Sequence, residues 1–199
     1  MTEQLQRELA AERERRQKFY EEMTPEEKVE FIDGEVVMHS PARNRHLLVT
    51  NHVARLLDVY VATRKSGQVR IEKCLCVFPR NDYEPDLVFF GLEKSAGLNA
   101  ETMKFPVPDL VVEVLSESTE ERDRGVKFQD YALHGVGEYW IIDPDAATVE
   151  QYLPGADGYE LAMKAGSGQL ASEVVEGFTM PVEAIFEAEA NLKALRELL

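Results

Sequence analysis

One glutamate interrupts an apolar run, Leu110-Val-Val-Glu-Val-Leu115. Inside a sheet, an ionised carboxylate without partners costs on the order of several kcal/mol, so a cation, a metal ion or a raised pKa must accompany Glu113. A second carboxylate, Asp86, stands at the edge of another apolar run, Tyr83-Glu-Pro-Asp-Leu-Val-Phe-Phe90. Two carboxylates from adjacent strands suit a hard divalent cation such as Mg²⁺, which takes one or two carboxylates and keeps waters for substrate. The third polar group is Lys127, on a helix that begins near Thr119 and folds back over the strand carrying Glu113. Asp123, Lys127, Tyr131 and His134 share one face of that helix. The competing reading is an ordinary Asp123–Lys127 surface pair. His46, near the start of a long helix, is placed either to touch a phosphate or water or to be a satisfied structural residue. Glu30 alternates with apolar residues and is read as a site group or as the solvent side of a half-buried strand. Ser116, Tyr131 and Trp140 read as packing groups or as supports behind the site.

The elements that must hold these groups are legible from spacing. Residues 2–22 lack Gly and Pro and read as a helix with few apolar positions, a projecting arm over residues 1–23. Thr24-Pro-Glu-Glu27 has the cap, proline and glutamate of one helical turn. Asp33-Gly34 between Val29–Ile32 and Glu35–Met38 predicts a type I′ hairpin. Val49, Val53, Leu56, Leu57 and Tyr60 recur at helical spacing, so residues 42–64 form the main helix, with Gly67 at its stop. Short strands are expected at 69–72, 74–78 and 87–90, and a loop at 91–108. The run 110–115 is a strand covered on both faces, with Val111, Glu113 and Leu115 on one side. Ser118-x-x-Glu121 opens a helix through Leu133, and His134-Gly135 ends it. Glu138–Ile142 is a second buried strand, parallel to the first in a βαβ unit. A β-rich tail and a terminal helix over 184–199 complete an α/β sandwich with a mixed sheet.

Composition bounds the function. The 199 residues are 44% hydrophobic and 30% charged, which suits one globular domain over 24–199 behind the arm. No apolar run approaches the ~18 residues of a membrane span, and the N-terminus is too polar for a signal peptide, so a cytoplasmic protein is expected. Cys74 and Cys76 fall on one face of a strand and read as packing residues. The net charge of −15 argues against nonspecific coating of nucleic acid. Residues 41–80 nevertheless carry 8 basic and 2 acidic side chains, so a polyanion can be met there, unless the segment is a solvated helix face.

The order Phe31-Ile-Asp-Gly-Glu35, Ser40-Pro41, His46, Glu84-Pro-Asp86, Pro108-Asp-Leu-Val-Val-Glu-Val-Leu-Ser116, Arg122-Asp123, Lys127, Tyr131, Gly135-Val-Gly-Glu-Tyr-Trp140 and Asp143-Pro144 resembles the Uma-two family of restriction-endonuclease-like proteins, in the PD-(D/E)XK nuclease superfamily. The resemblance runs from about Thr24 to Leu161 and leaves the arm outside. It implies a restriction-endonuclease-like α/β sandwich with a mixed central sheet flanked by helices. Asp86 matches the aspartate of the PD element and Glu113 the acidic residue of (D/E)XK. The lysine position two residues later holds Leu115, and the family's lysine from the following helix points to Lys127.

The resulting expectation is a divalent-metal-dependent endonuclease hydrolysing phosphodiester bonds of DNA, with Mg²⁺ or Mn²⁺ on Asp86 and Glu113. Lys127 would orient the nucleophile or offset developing charge. Glu30, His46, Arg43, Arg45 and Tyr131 would touch substrate or support the site, with Arg43, Arg45, Arg55 and Arg64 on the DNA backbone. The alternative is a non-catalytic nuclease-fold protein serving as a binding or assembly module. A homo-oligomer, a dimer, is expected, with no membrane association.

Overall fold

The computed structural model describes residues 3–24 and 26–199; Met1 and Thr2 of the arm and Pro25 of the expected helical turn lie outside the described residues. Helix α1 (Glu3–Glu22) leads into strands β1 (Val29–Ile32) and β2 (Glu35–Met38), then the long helix α2 (Asn44–Arg64). Strands β3 (Gly67–Ile71), β4 (Leu75–Val77), β5 (Asp82–Tyr83) and β6 (Leu87–Gly91) follow, then α3 (Leu92–Ser95) and β7 (Lys104–Phe105). Next come β8 (Leu110–Val114), α4 (Glu120–Arg124), α5 (Val126–Leu133) and β9 (Glu138–Asp143). The tail comprises β10 (Thr148–Gly155), β11 (Gly158–Ala165), β12 (Gln169–Ala171), β13 (Thr179–Pro181), α6 (Glu183–Phe186) and α7 (Ala188–Leu198). No described helix is long and apolar enough to cross a membrane.

The central sheet runs β11-β10-β9-β8-β6-β3, with β8 and β9 parallel and the other neighbours antiparallel. Its apolar residues divide by strand alternation. Leu87, Leu110, Val112, Val114, Trp140 and Ile142 pack with Val53, Leu56, Leu57 and Tyr60 of α2. Val88, Phe90, Val111, Tyr139 and Ile141 face the other way, toward Tyr131 of α5 and Ile32 of β1. A smaller sheet, β2-β1-β5-β4-β7, lies on this second side. The hairpin turns as its sequence requires, with Asp33 at φ 49° and Gly34 at φ 85°.

Several expectations are corrected. The arm does not project: Phe19 is buried against Phe31, and Arg16 reaches into the β4–β5 turn, donating to both carboxylate oxygens of Asp82 at 2.6 and 2.7 Å and to the carbonyls of Phe78, Pro79 and Asn81. The helix expected over 118–133 is broken at Gly125, where a Cβ would come within 2.6 Å of the Glu121 carbonyl oxygen. Its capping box does not form. Ser116 starts the turn earlier: its carbonyl accepts the Thr119 and Glu120 amides, and its hydroxyl binds those of Ser118 and Thr119. The expected loop at 91–108 contains α3 and β7, the latter pairing parallel with β4. Gly67 opens β3 rather than ending α2, whose left-handed last position is Lys65. Glu72, expected inside a strand, adopts φ 41° and ends it.

Candidate active site

Strand register brings the two carboxylates together. Leu87 pairs with Val112, so the next antiparallel pair sets Asp86 opposite Glu113 on the face that also carries Val111. Asp86 is tied to the neighbouring strand by its own side chain, because the Val114 amide donates to Oδ2 at 2.8 Å. Residue alternation in β1 sends Phe31 toward α1 and leaves Glu30 facing the same space. The break at Gly125 lets α5 start above Glu113, one residue before Lys127. Asp86, Glu113 and Lys127 line a cleft of about 1010 Å³, together with Lys28 and His46, and Glu30 lies buried behind it.

Lys127 is the hub. Its Nζ lies 3.0 Å from Glu113 Oε1, 3.0 Å from Glu30 Oε1 and 3.2 Å from Asp123 Oδ1, and only 2% of its side chain is exposed. The Tyr131 hydroxyl donates to Glu113 Oε1 at 2.9 Å. A second lysine, Lys28, donates to Asp86 Oδ1 at 3.0 Å, and His46 Nε2 stands 3.2 Å from the same oxygen. Glu30 accepts the Glu84 amide at 2.9 Å and has His39 Nε2 2.9 Å from its Oε2.

The charges in this pocket are unequally matched. Burial pushes Asp86 up, but Lys28 and His46 outweigh it and hold the carboxyl well below its usual range. Burial likewise raises Glu30, yet Lys127 and His39 bring it to about 2. Glu113 goes the other way: burial, with Asp123, Asp86 and Glu30 nearby, overrides Lys127 and lifts it to about 8. Burial also raises Asp123. For Lys127, burial disfavours the charge, but Glu113, Glu30 and Asp123 more than offset it and push the pKa well above that of a free lysine. Four buried carboxyls thus share two ammonium groups, and the excess falls on Glu113, which keeps its proton near neutral pH. Oxygen donors in this arrangement fit a hard divalent cation, which would supply the missing charge and displace the proton from Glu113.

Of the residues singled out in the sequence, Asp86, Glu113, Lys127, Glu30, His46 and Tyr131 come together here. Glu30 is not on the solvent side of its strand, because β1 is covered on both faces. The Asp123–Lys127 contact exists but is buried, so it is no surface pair. Arg43 and Arg45 stay on the exposed cleft rim, bound to Glu117 and Asp145 respectively. Arg55 is instead taken up by Asn191, and Arg64 lies over the Tyr60 ring. Sequence reasoning missed Lys28, His39 and Glu72. Lys28 and His39 flank the hairpin and gave no periodic signal; their backbones are bonded, His39 N to Lys28 O, so locating the hairpin places both.

Residues 16–183 match the family described as "Uma2: Putative restriction endonuclease". The match begins inside α1, at the arginine that binds Asp82. "Uncharacterized protein sll1609" of Synechocystis sp. (strain ATCC 27184 / PCC 6803 / Kazusa) is 30% identical over 128 residues, 63% of this chain and 72% of the relative. The crystal structure of "a putative nuclease belonging to DUF820" from Anabaena variabilis ATCC 29413 aligns with a TM-score of 0.73 and 18% identity, covering 89% of this chain and 96% of that one. The mixed α/β sandwich described above is the restriction-endonuclease-like fold.

Proposed function

The chain belongs to the Uma2 family, and on that premise we propose that it is a divalent-metal-dependent endonuclease hydrolysing phosphodiester bonds of DNA. The observation that carries the reading is that Asp86 and Glu113, each one position beyond the Leu87–Val112 pair, line one open cleft, with Lys127 3.0 Å from Glu113. Asp86 and Glu113 would hold Mg²⁺ or Mn²⁺, which when bound supplies Lewis-acid polarisation of a phosphoryl oxygen and a lowered pKa for water. Asp86 is ionised across the working pH range and ready to ligate. Lys127, held charged by the Glu113, Glu30 and Asp123 carboxyl groups around it, is no proton donor or base; it would offset charge that develops beside Glu113 and fix that side chain's position. Lys28 brings a second positive charge to the cleft, where it can meet a phosphate oxygen. Arg43 and Arg45 at the rim would contact the DNA backbone, which adds salt-dependent affinity without sequence specificity.

The test is nicking of supercoiled plasmid in Mg²⁺ or Mn²⁺ by the wild type, Asp86→Asn and Glu113→Gln. Metal-dependent nicking is expected for the wild type, with a loss of at least ~100-fold in each variant. Undiminished cleavage by Asp86→Asn, or none by the wild type, overturns the proposal. One observation favours a non-catalytic binding module instead: Lys28 already neutralises Asp86. That reading predicts DNA retention without cleavage.

A further inference from the structure

Asp86 has a second set of neighbours on its β3 side. The β3–β6 register continues one residue past Ile71–Leu87, where the Glu72 amide donates to the Asp86 carbonyl at 3.2 Å. The chain then turns sharply, with Glu72 and Lys73 at φ 41° and 43°, and the Glu72 carboxylate returns over Asp86. One donor atom from each of His46, Glu72 and Asp86 lies within 4.8 Å of the other two.

His46 is the telling member. It is 9% exposed, its Nε2 is 3.2 Å from Asp86 Oδ1, and its buried Nδ1 has no hydrogen-bond partner among the described residues. Nδ1 points away from the carboxylate, and Nε2 is the nitrogen placed to share an ion with Asp86. Two donors bound at right angles to one ion at ~2.1 Å stand about 3 Å apart. The His46–Asp86 separation therefore already matches two adjacent ligands, and the long, half-buried Glu72 side chain has only a short distance to close.

We propose that His46, Glu72 and Asp86 form a cation site that prefers Mn²⁺ to Mg²⁺. Mn²⁺ takes carboxylate and water as Mg²⁺ does but, as a first-row transition ion, accepts an imidazole nitrogen more readily than Mg²⁺, whose partners are carboxylates, phosphates and water. The site shares Asp86 with the Asp86–Glu113 pair, and Lys28, 3.0 Å from Asp86 Oδ1, is the group an incoming ion displaces. Use of the ion in cleavage rests on the nuclease reading; its binding does not.

The experiment is Mn²⁺ titration of the full chain, followed by calorimetry and pulsed EPR, with Mg²⁺ in competition. The wild type should bind Mn²⁺ at least ten-fold more tightly than Mg²⁺ and show nitrogen hyperfine coupling. His46→Gln should lose that coupling, and Glu72→Gln should weaken the nitrogen-coupled Mn²⁺ at least ten-fold. A wild type without nitrogen coupling, without preference for Mn²⁺, or with Mn²⁺ affinity indifferent to Glu72→Gln overturns the site. The wild-type coupling and preference decide the matter even where a variant fails to fold. Intact nitrogen-coupled binding with no plasmid nicking would sink the nuclease reading and leave this site standing.

Discussion

One ammonium group serves Glu30, Glu113 and Asp123, so replacing Lys127 with methionine strands several buried carboxyls together. Breaking a buried ion pair by removing one partner costs about 3–5 kcal/mol, against at most ~1 kcal/mol for an exposed pair. Urea denaturation of Lys127→Met should show the larger loss, and Glu30→Gln in that background should recover part of it, because contacting residues couple by ~0.5–3 kcal/mol. Glu113 carries a pH signature. Its folded pKa, about 8, lies above the ~4.3 of an unfolded glutamate. The folded chain therefore holds a proton that the unfolded chain releases. The associated stability is complete below about pH 4 and is lost as pH rises through about 8. In EDTA, the melting temperature of Glu113→Gln relative to wild type should be higher at pH 9 than at pH 5. A difference that does not change with pH would contradict the protonated state.

At the scale of elements, α1 is fastened by one side chain more than by its apolar stripe. Asp82 is fully buried, and Arg16 satisfies both of its oxygens together with three carbonyls of the adjoining turn. Arg16→Ala should cost about 3–5 kcal/mol in urea denaturation by leaving that carboxylate buried with Tyr20 as its remaining side-chain donor among the described residues. A loss below 1 kcal/mol would mean that the helix contributes little to the folded domain. Legibility in the sequence follows the same division. The hairpin, α2, β8, β9 and the parallel βαβ unit were readable, because Asp33-Gly34, the helical spacing of Val49 to Tyr60 and the apolar runs report local periodicity. Asp86 and Glu113 were conspicuous for being charged where periodicity demands apolar residues. The docking of α1, the burial of Glu30 and the position of Lys28 depend on which sheet covers which, and no local pattern encodes that. Gly125 was legible only as one more residue of a helix, since its close approach to the Glu121 carbonyl is a consequence of the break.

On the scale of the whole molecule, the net charge of −15 and the acidic cleft rim restrict how the DNA of the proposed function could bind. The rim arginines Arg43 and Arg45 already face Glu117 and Asp145, so phosphates must replace carboxylates rather than find free cations. With Lys28, Arg43, Arg45 and Arg122 as the basic groups of the cleft near solvent, counterion release is limited to about four ions at ~0.9 each. The slope of log K against log salt should therefore be no steeper than about −4, measured by fluorescence anisotropy on a catalytically inactive variant. Converting Glu117 and Asp145 to Gln and Asn should tighten binding at low salt and leave the slope unchanged or steeper. Weaker binding by that double variant would show that these carboxylates do not compete with phosphate.

The ion pair between Glu30 and Lys127 also has a temporal meaning. During synthesis at about 5–20 residues per second, roughly a hundred residues must follow Glu30 before its ammonium partner exists. Until α5 emerges, the hairpin carries an acidic group with nowhere dry to go, and Glu113 likewise waits for the residues that will cover it. A ribosome that stalls before Lys127 therefore releases a fragment whose cleft cannot close around its charges. The groups that complete the site, Lys127 and Tyr131, are thus also the late arrivals that permit its carboxyls to be buried.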